Sequence, residues 1–131
     1  METAVAVAPA SKAQYWTGWV LGILASLMLL MSAVMKLIKH PEVIKGWAHM
    51  GYPESVGIPI GITELVCTLL YLVPQTRYLG AILLTGYLGG AVATHVRLSE
   101  PFYTPIILGV VLWLGLWLRD ARFRPFAPLH R

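Results

Sequence analysis

Long apolar runs, broken by short polar punctuation, make up most of this chain. Four of them stand out, at residues 16–38, 57–73, 78–96 and 103–118. A helix that crosses a bilayer needs about 20 residues, with a range near 17–25. The first and third runs meet that length; the second and fourth lie at its short end. Lipid offers the backbone no hydrogen-bond partners, so runs this apolar are expected to span as helices. The pattern predicts four transmembrane helices.

The connections carry turn residues. Pro74-Gln75-Thr76-Arg77 separates the second and third runs, and Ser99-Glu100-Pro101 the third and fourth. The longest connection covers residues 39–56. Within it, Pro41 suits a first helical turn. Val43, Ile44, Trp47 and Met50 then recur at helical spacing, with Glu42, Lys45 and His49 elsewhere. This is the pattern of a short interfacial helix on the membrane surface, ended by Gly51-Tyr52-Pro53. The expected fold is an all-α membrane protein: a four-transmembrane-helix bundle with a short interfacial helix between the first and second spans. Residues 1–15 read as a mobile N-terminal tail, 16–118 as the membrane domain and 119–131 as a basic C-terminal tail.

Composition supports this reading. The chain has 131 residues, 57% hydrophobic and 12% charged, with a mean hydropathy of +0.69. Soluble domains average about 25% charged residues. The net charge of +4 flanks the apolar runs, where it sets topology and meets anionic membrane lipid; nucleic acid is not an expected partner. Lys12, Arg77, Arg119, Arg122, Arg124 and Arg131 fall on one side, against Lys36, Lys39, Lys45 and Arg97 on the other. That bias predicts a multi-pass protein of the cell (inner) membrane with both termini cytoplasmic. The N-terminus lacks a basic region followed by a short apolar core, so it does not read as a cleaved signal. Cys67 is the sole cysteine, which leaves no intramolecular disulfide and no CxxC redox pair.

Three glycine pairs, Gly18/Gly22, Gly57/Gly61 and Gly86/Gly90, each share a helical face. Small residues let helix backbones approach in lipid, so the three pairs together predict a tight four-helix bundle, and the same glycine faces would leave room for a ligand.

Glu64 is the residue that most demands explanation. It is the only charge in residues 57–73, and a carboxylate there costs on the order of 2–4 kcal/mol unless compensated. It shares a helical face with Gly57, Gly61, Thr68 and Tyr71, so it is expected to point into the bundle. Chain direction places Lys36, Glu64, His95, Arg97 and Glu100 in one half of the membrane. Glu64 lies about 10 Å below Gly57, and a lysine stem can cover part of that gap. A polar cluster of Lys36, Glu64, His95 and Arg97 is therefore predicted, with Glu64 deepest and Lys36 or Arg97 as its partner. His95 and Arg97, two positions apart, cannot both aim at one central point. The bland alternatives are a structural ion pair at Glu64, a snorkelling Lys36 and an interface anchor at Arg97. There is no HExxH, CxxC, Walker loop or GxSxG, and no metal site is expected.

The stretch SAVMKLIKHPEVIKGWAHMGYPES, then GITELVCTLLYLVPQTRYLGAILLTGYLGGAVATHVR, then a final apolar span, resembles the DoxX-like family of small four-span membrane proteins. Lys36 closing the first span, Gly51-Tyr52-Pro53, Glu64, Pro74 with Arg77, Gly80-Ala81 and the run from Gly89-Gly90-Ala91 to Thr94-His95 carry the likeness, over residues 18–118. The resemblance implies a four-helix membrane bundle. Members of this family are linked to quinone-dependent sulfur oxidation and membrane oxidoreductase complexes, and some distant relatives to the assembly or trafficking of membrane proteins. The leading expectation is a protein that binds a quinone or similar apolar ligand as an accessory to a membrane redox complex, with Lys36, Glu64, His95 and Arg97 meeting the ligand's polar atoms. The alternatives are a non-enzymatic subunit or assembly factor, and a stand-alone enzyme with Glu64 and His95 as acid and base on a lipid-soluble substrate. Homo-oligomerisation is left open.

Overall fold

The computed structural model describes residues 11–121. Helix α1 covers Lys12–Leu37, α2 Pro41–Met50, α3 Gly57–Leu72, α4 Arg77–Arg97 and α5 Tyr103–Arg119. α1 begins at Lys12 rather than residue 16 because Ser11 and Gln14 form a reciprocal capping box ahead of the apolar pattern. The rest of the expected N-terminal tail lies outside the described residues, as does the C-terminal tail beyond Ala121.

α1, α4 and the helical stretch Glu54–Leu72, which is α3 with the single 3-10 turn before it, are each long and apolar enough to cross a membrane, and α5 is a shorter apolar helix. α1 packs on α5 and α3, and α4 packs on α3 and α5. The four spans therefore form a ring, with α1 and α4 across a diagonal. Ala25, Leu29, Cys67, Tyr71, Ala81, Leu84, Leu88, Leu112 and Leu116 fill its centre. Met28, Met31, Ile62, Val66, Ile82 and Val110 are exposed, as side chains solvated by lipid should be. The result is an all-α membrane bundle.

Two glycines set the closest approaches. A Cβ on Gly18 would stand 2.6 Å from the Gly115 carbonyl oxygen, so α1 and α5 touch backbone to backbone. A Cβ on Gly80 would collide with the Tyr71 backbone across the α3–α4 contact. The Gly57/Gly61 pair also lies at a contact, facing Trp47 and the last turn of α1. Gly86/Gly90 does not pack: a Cβ at either position meets nothing within 4 Å. α4 packs through Gly80, Ala81, Leu84 and Leu88 instead, and Gly86 and Gly90 are rotated off that face.

α2 forms where the sequence suggests. The His40 ring accepts a hydrogen bond from the Glu42 amide at its start, and Gly51, with φ of 80°, ends it. That φ is one an L side chain rarely adopts. Trp47 is its buried anchor, set against Gly57. Lys39, with φ of 56°, turns the chain from α1 into α2.

Candidate ligand cavity

Ser32 and Lys36 are four residues apart on α1, so both point the same way. Lys36 Nζ donates to Ser32 Oγ at 2.5 Å and to Glu64 Oε1 at 3.0 Å. The Ser32 hydroxyl donates to the same carboxylate oxygen at 3.2 Å. Gly61, one turn above Glu64 on α3, makes this convergence sterically feasible. A Cβ there would stand 3.1 Å from Lys36 Cβ, in the path of the lysine stem. From α4, the Tyr87 hydroxyl also faces the Glu64 carboxylate. The Glu64 side chain is 2% exposed and that of Lys36 16%. The cation that compensates Glu64 is therefore Lys36.

Lys36 is also part of a cavity wall. A cavity of ≈ 450 Å³ lies above the pair, within the 300–1,000 Å³ typical of small-molecule sites. Lys36, Ile60 and Tyr87 line its inner part, and Gly86, Gly90 and Ala91 one side of α4. Thr94 and His95 lie further along α4, and Trp47, Met50 and Tyr52 roof it from α2 and the turn after it. The open space at Gly86 and Gly90 belongs to this cavity: their missing side chains are part of its volume.

The predicted site residues take distinct places. Lys36 and His95 line the cavity, and Glu64 stands behind Lys36. His95 Nδ1 is 2.7 Å from the Ala91 carbonyl oxygen. A carbonyl only accepts, so Nδ1 carries the proton and Nε2 is the nitrogen available to a ligand. Arg97 is not in the cavity wall. Its Nη2 donates to the Met50 carbonyl, and its guanidinium sits 5.6 Å from the Tyr52 ring centroid. It ties the end of α4 to the end of α2. Tyr52 and Thr94 share a hydrogen bond of 3.0 Å. That bond, and then Arg97, hold the Tyr52 phenol below the usual tyrosine range. His49 and Glu100, 2.5 Å apart, make a further tie from α2 to the connection after α4.

Sequence reasoning missed Tyr87 and the roofing role of Trp47. Tyr87, Ala91, Thr94 and His95 do recur at i, i+4, i+7 and i+8, which is the signal for a shared helical face. It also counted Arg119 with the C-terminal tail. In the structure Arg119 ends α5 and is buried, because the notch of Gly18 and Gly22 on α1 receives its side chain.

Comparison with known proteins places most of the chain in a family. The family model described as the DoxX-like family covers residues 20–118. No curated protein and no solved structure matches the chain.

Proposed function

The chain belongs to the DoxX-like family, and from that premise we propose that its cavity binds a quinone or a similarly apolar, carbonyl-bearing ligand, in a role accessory to a membrane redox complex. The observation that supports this most is the position of Lys36. Its ammonium is held by a buried carboxylate and forms part of the wall of an otherwise mainly apolar cavity. A few placed polar groups in an apolar pocket are the usual make-up of a small-molecule site.

The residues fit such a ligand. The space beside Gly86 and Gly90 admits a flat ring. Lys36 donates a hydrogen bond to a carbonyl oxygen, and Glu64 holds Lys36 in place. His95 Nε2 accepts a proton or, once protonated, donates one. When bound, a quinone supplies reversible two-electron chemistry. In an inner membrane with both termini cytoplasmic, the cavity opens towards the opposite side.

Trp47 in the roof gives a direct test. Tryptophan fluorescence is titrated with a short-tailed ubiquinone analogue in mild detergent, and the difference from Trp47→Phe isolates the Trp47 share among the five tryptophans. Saturable quenching that weakens in Lys36→Met and in Gly90→Leu supports the reading. Quenching that is linear, or identical in wild type and these two variants, removes it.

The open glycine face of α4 favours a second reading, a non-enzymatic subunit whose partner helix packs against Gly86 and Gly90. Co-purification from mild detergent separates the two. A stoichiometric partner with no bound small molecule supports the subunit role; a co-purifying quinone seen by mass spectrometry supports the first.

A further inference from the structure

Arg119 lies at the end of the bundle away from the cavity, and it is 5% exposed. Its guanidinium carbon is 4.2 Å from the Trp19 ring centroid and 5.2 Å from that of Tyr71. A Cβ on Gly18 or Gly22 would collide with it. Nη1 reaches the Gly18 carbonyl at 3.5 Å, a long hydrogen bond. Nε and Nη2 are buried and have no hydrogen-bond partner.

The electrostatics at this end are unbalanced. Ring faces offset only part of what taking a charge out of water costs. The adjacent carboxylate, Asp120, pairs with Arg77 at 2.5 Å and accepts the Tyr78 hydroxyl at 2.5 Å. Among the described residues, Arg119 forms no ion pair with a carboxylate. Residues 122–131 contain no Asp or Glu. The Asp120 carboxylate thus serves Arg77 and Tyr78.

We propose that Arg119 anchors an oxyanion site that takes a phosphate group, as carried by the headgroup of an anionic lipid. Nε and Nη2 form one edge of the guanidinium plane. Two parallel N–H groups on such an edge match two phosphate oxygens. The edge left without a partner is therefore the one suited to a bidentate oxyanion. Nε and Nη2 are themselves enclosed and Tyr71, Gly18 and Gly22 are buried, so entry of a phosphate requires the half-buried Trp19 ring to shift. Lys12 and Arg77, which begin α1 and α4, add positive charge at the same end of the bundle. An anionic lipid headgroup and free phosphate share this chemistry, and the test separates them.

The full chain is labelled with nitrogen-15 in mild detergent, and the Arg119 Nε–H resonance is identified by its loss in Arg119→Lys. It is then titrated with phosphatidylglycerol, with a phosphate-free galactolipid and with inorganic phosphate. A saturable downfield shift with phosphatidylglycerol, absent with galactolipid, supports a lipid headgroup. A saturable shift with inorganic phosphate as well supports a soluble anion at the same site. No phosphate-dependent shift overturns the proposal. In parallel, phosphatidylglycerol affinity read from thermal stabilisation should fall about tenfold or more in Arg119→Gln. Unchanged affinity in a folded Arg119→Gln overturns the proposal equally. If that variant does not fold, the wild-type resonance decides.

Discussion

Lys36 reaches Glu64 by passing over Gly61: the lysine Cβ lies 3.1 Å from where a Cβ at Gly61 would stand. A side chain at position 61 must therefore push the last turn of α1 away from α3. Gly61→Leu is expected to cost about 1–3 kcal/mol by overpacking, and to weaken ligand binding by displacing Lys36. Denaturation by sodium dodecyl sulfate, compared with wild type, checks the first effect. A variant as stable as wild type would show that the lysine has another path.

The Lys36–Glu64 pair predicts non-additive mutants. Removing one partner of a buried pair costs about 3–5 kcal/mol. Lys36 is partly exposed, so about 1–3 kcal/mol is expected here, the lower end reflecting solvent screening. Glu64→Leu and Lys36→Met should each destabilise, and the double variant should lose less than the sum of the two. A double-mutant cycle on unfolding free energies measures the coupling. Strict additivity would mean the pair contributes nothing to the fold.

Gly86 and Gly90 should behave unlike Gly18 and Gly80. Alanine at 86 or 90 meets open space and gains helix propensity, about 0.5–1 kcal/mol. Alanine at 18 or 80 meets backbone and should lower stability or alter the fold. Thermal stability of the four alanine variants tests this directly. Destabilisation by Gly90→Ala would place that glycine at a contact in the membrane.

Tyr52 carries a pH signature. Its pKa is lowered, by the Thr94 hydrogen bond first and Arg97 next. A lowered pKa means the folded state favours the phenolate. The resulting stabilisation is complete above the unfolded pKa and is lost as pH falls through the folded one. Ultraviolet titration should show a tyrosine ionising below the usual range. Thr94→Val should move it back up; no movement would mean that the Thr94 bond does not govern it.

Much of this architecture was legible in the residues. The apolar runs marked the four spans, and Val43, Ile44, Trp47 and Met50 marked the face of α2. The stripe Gly57, Gly61, Glu64, Thr68, Tyr71 marked the buried side of α3, all of it buried in the structure. A charge within an apolar helix carries this information because lipid cannot solvate it, so it must face protein. The glycine pairs carried less. A glycine marks either a close contact or an empty space, and Gly61 and Gly90 look alike until a neighbouring helix is in place.

The sequence by itself determined the number of helices, their directions and the end of the bundle that holds Lys36, Glu64, His95 and Arg97. These follow from hydropathy, turn residues and the fixed rise of a helix. Only the tertiary structure decided which cation takes Glu64, that Arg97 ties α2 to α4, that Gly86 and Gly90 border a cavity, and that Arg119 is buried against Trp19. The physical reason is that a helix in lipid is apolar on nearly every side. Its periodicity leaves its rotation about its own axis weakly specified, and packing against neighbouring helices settles it.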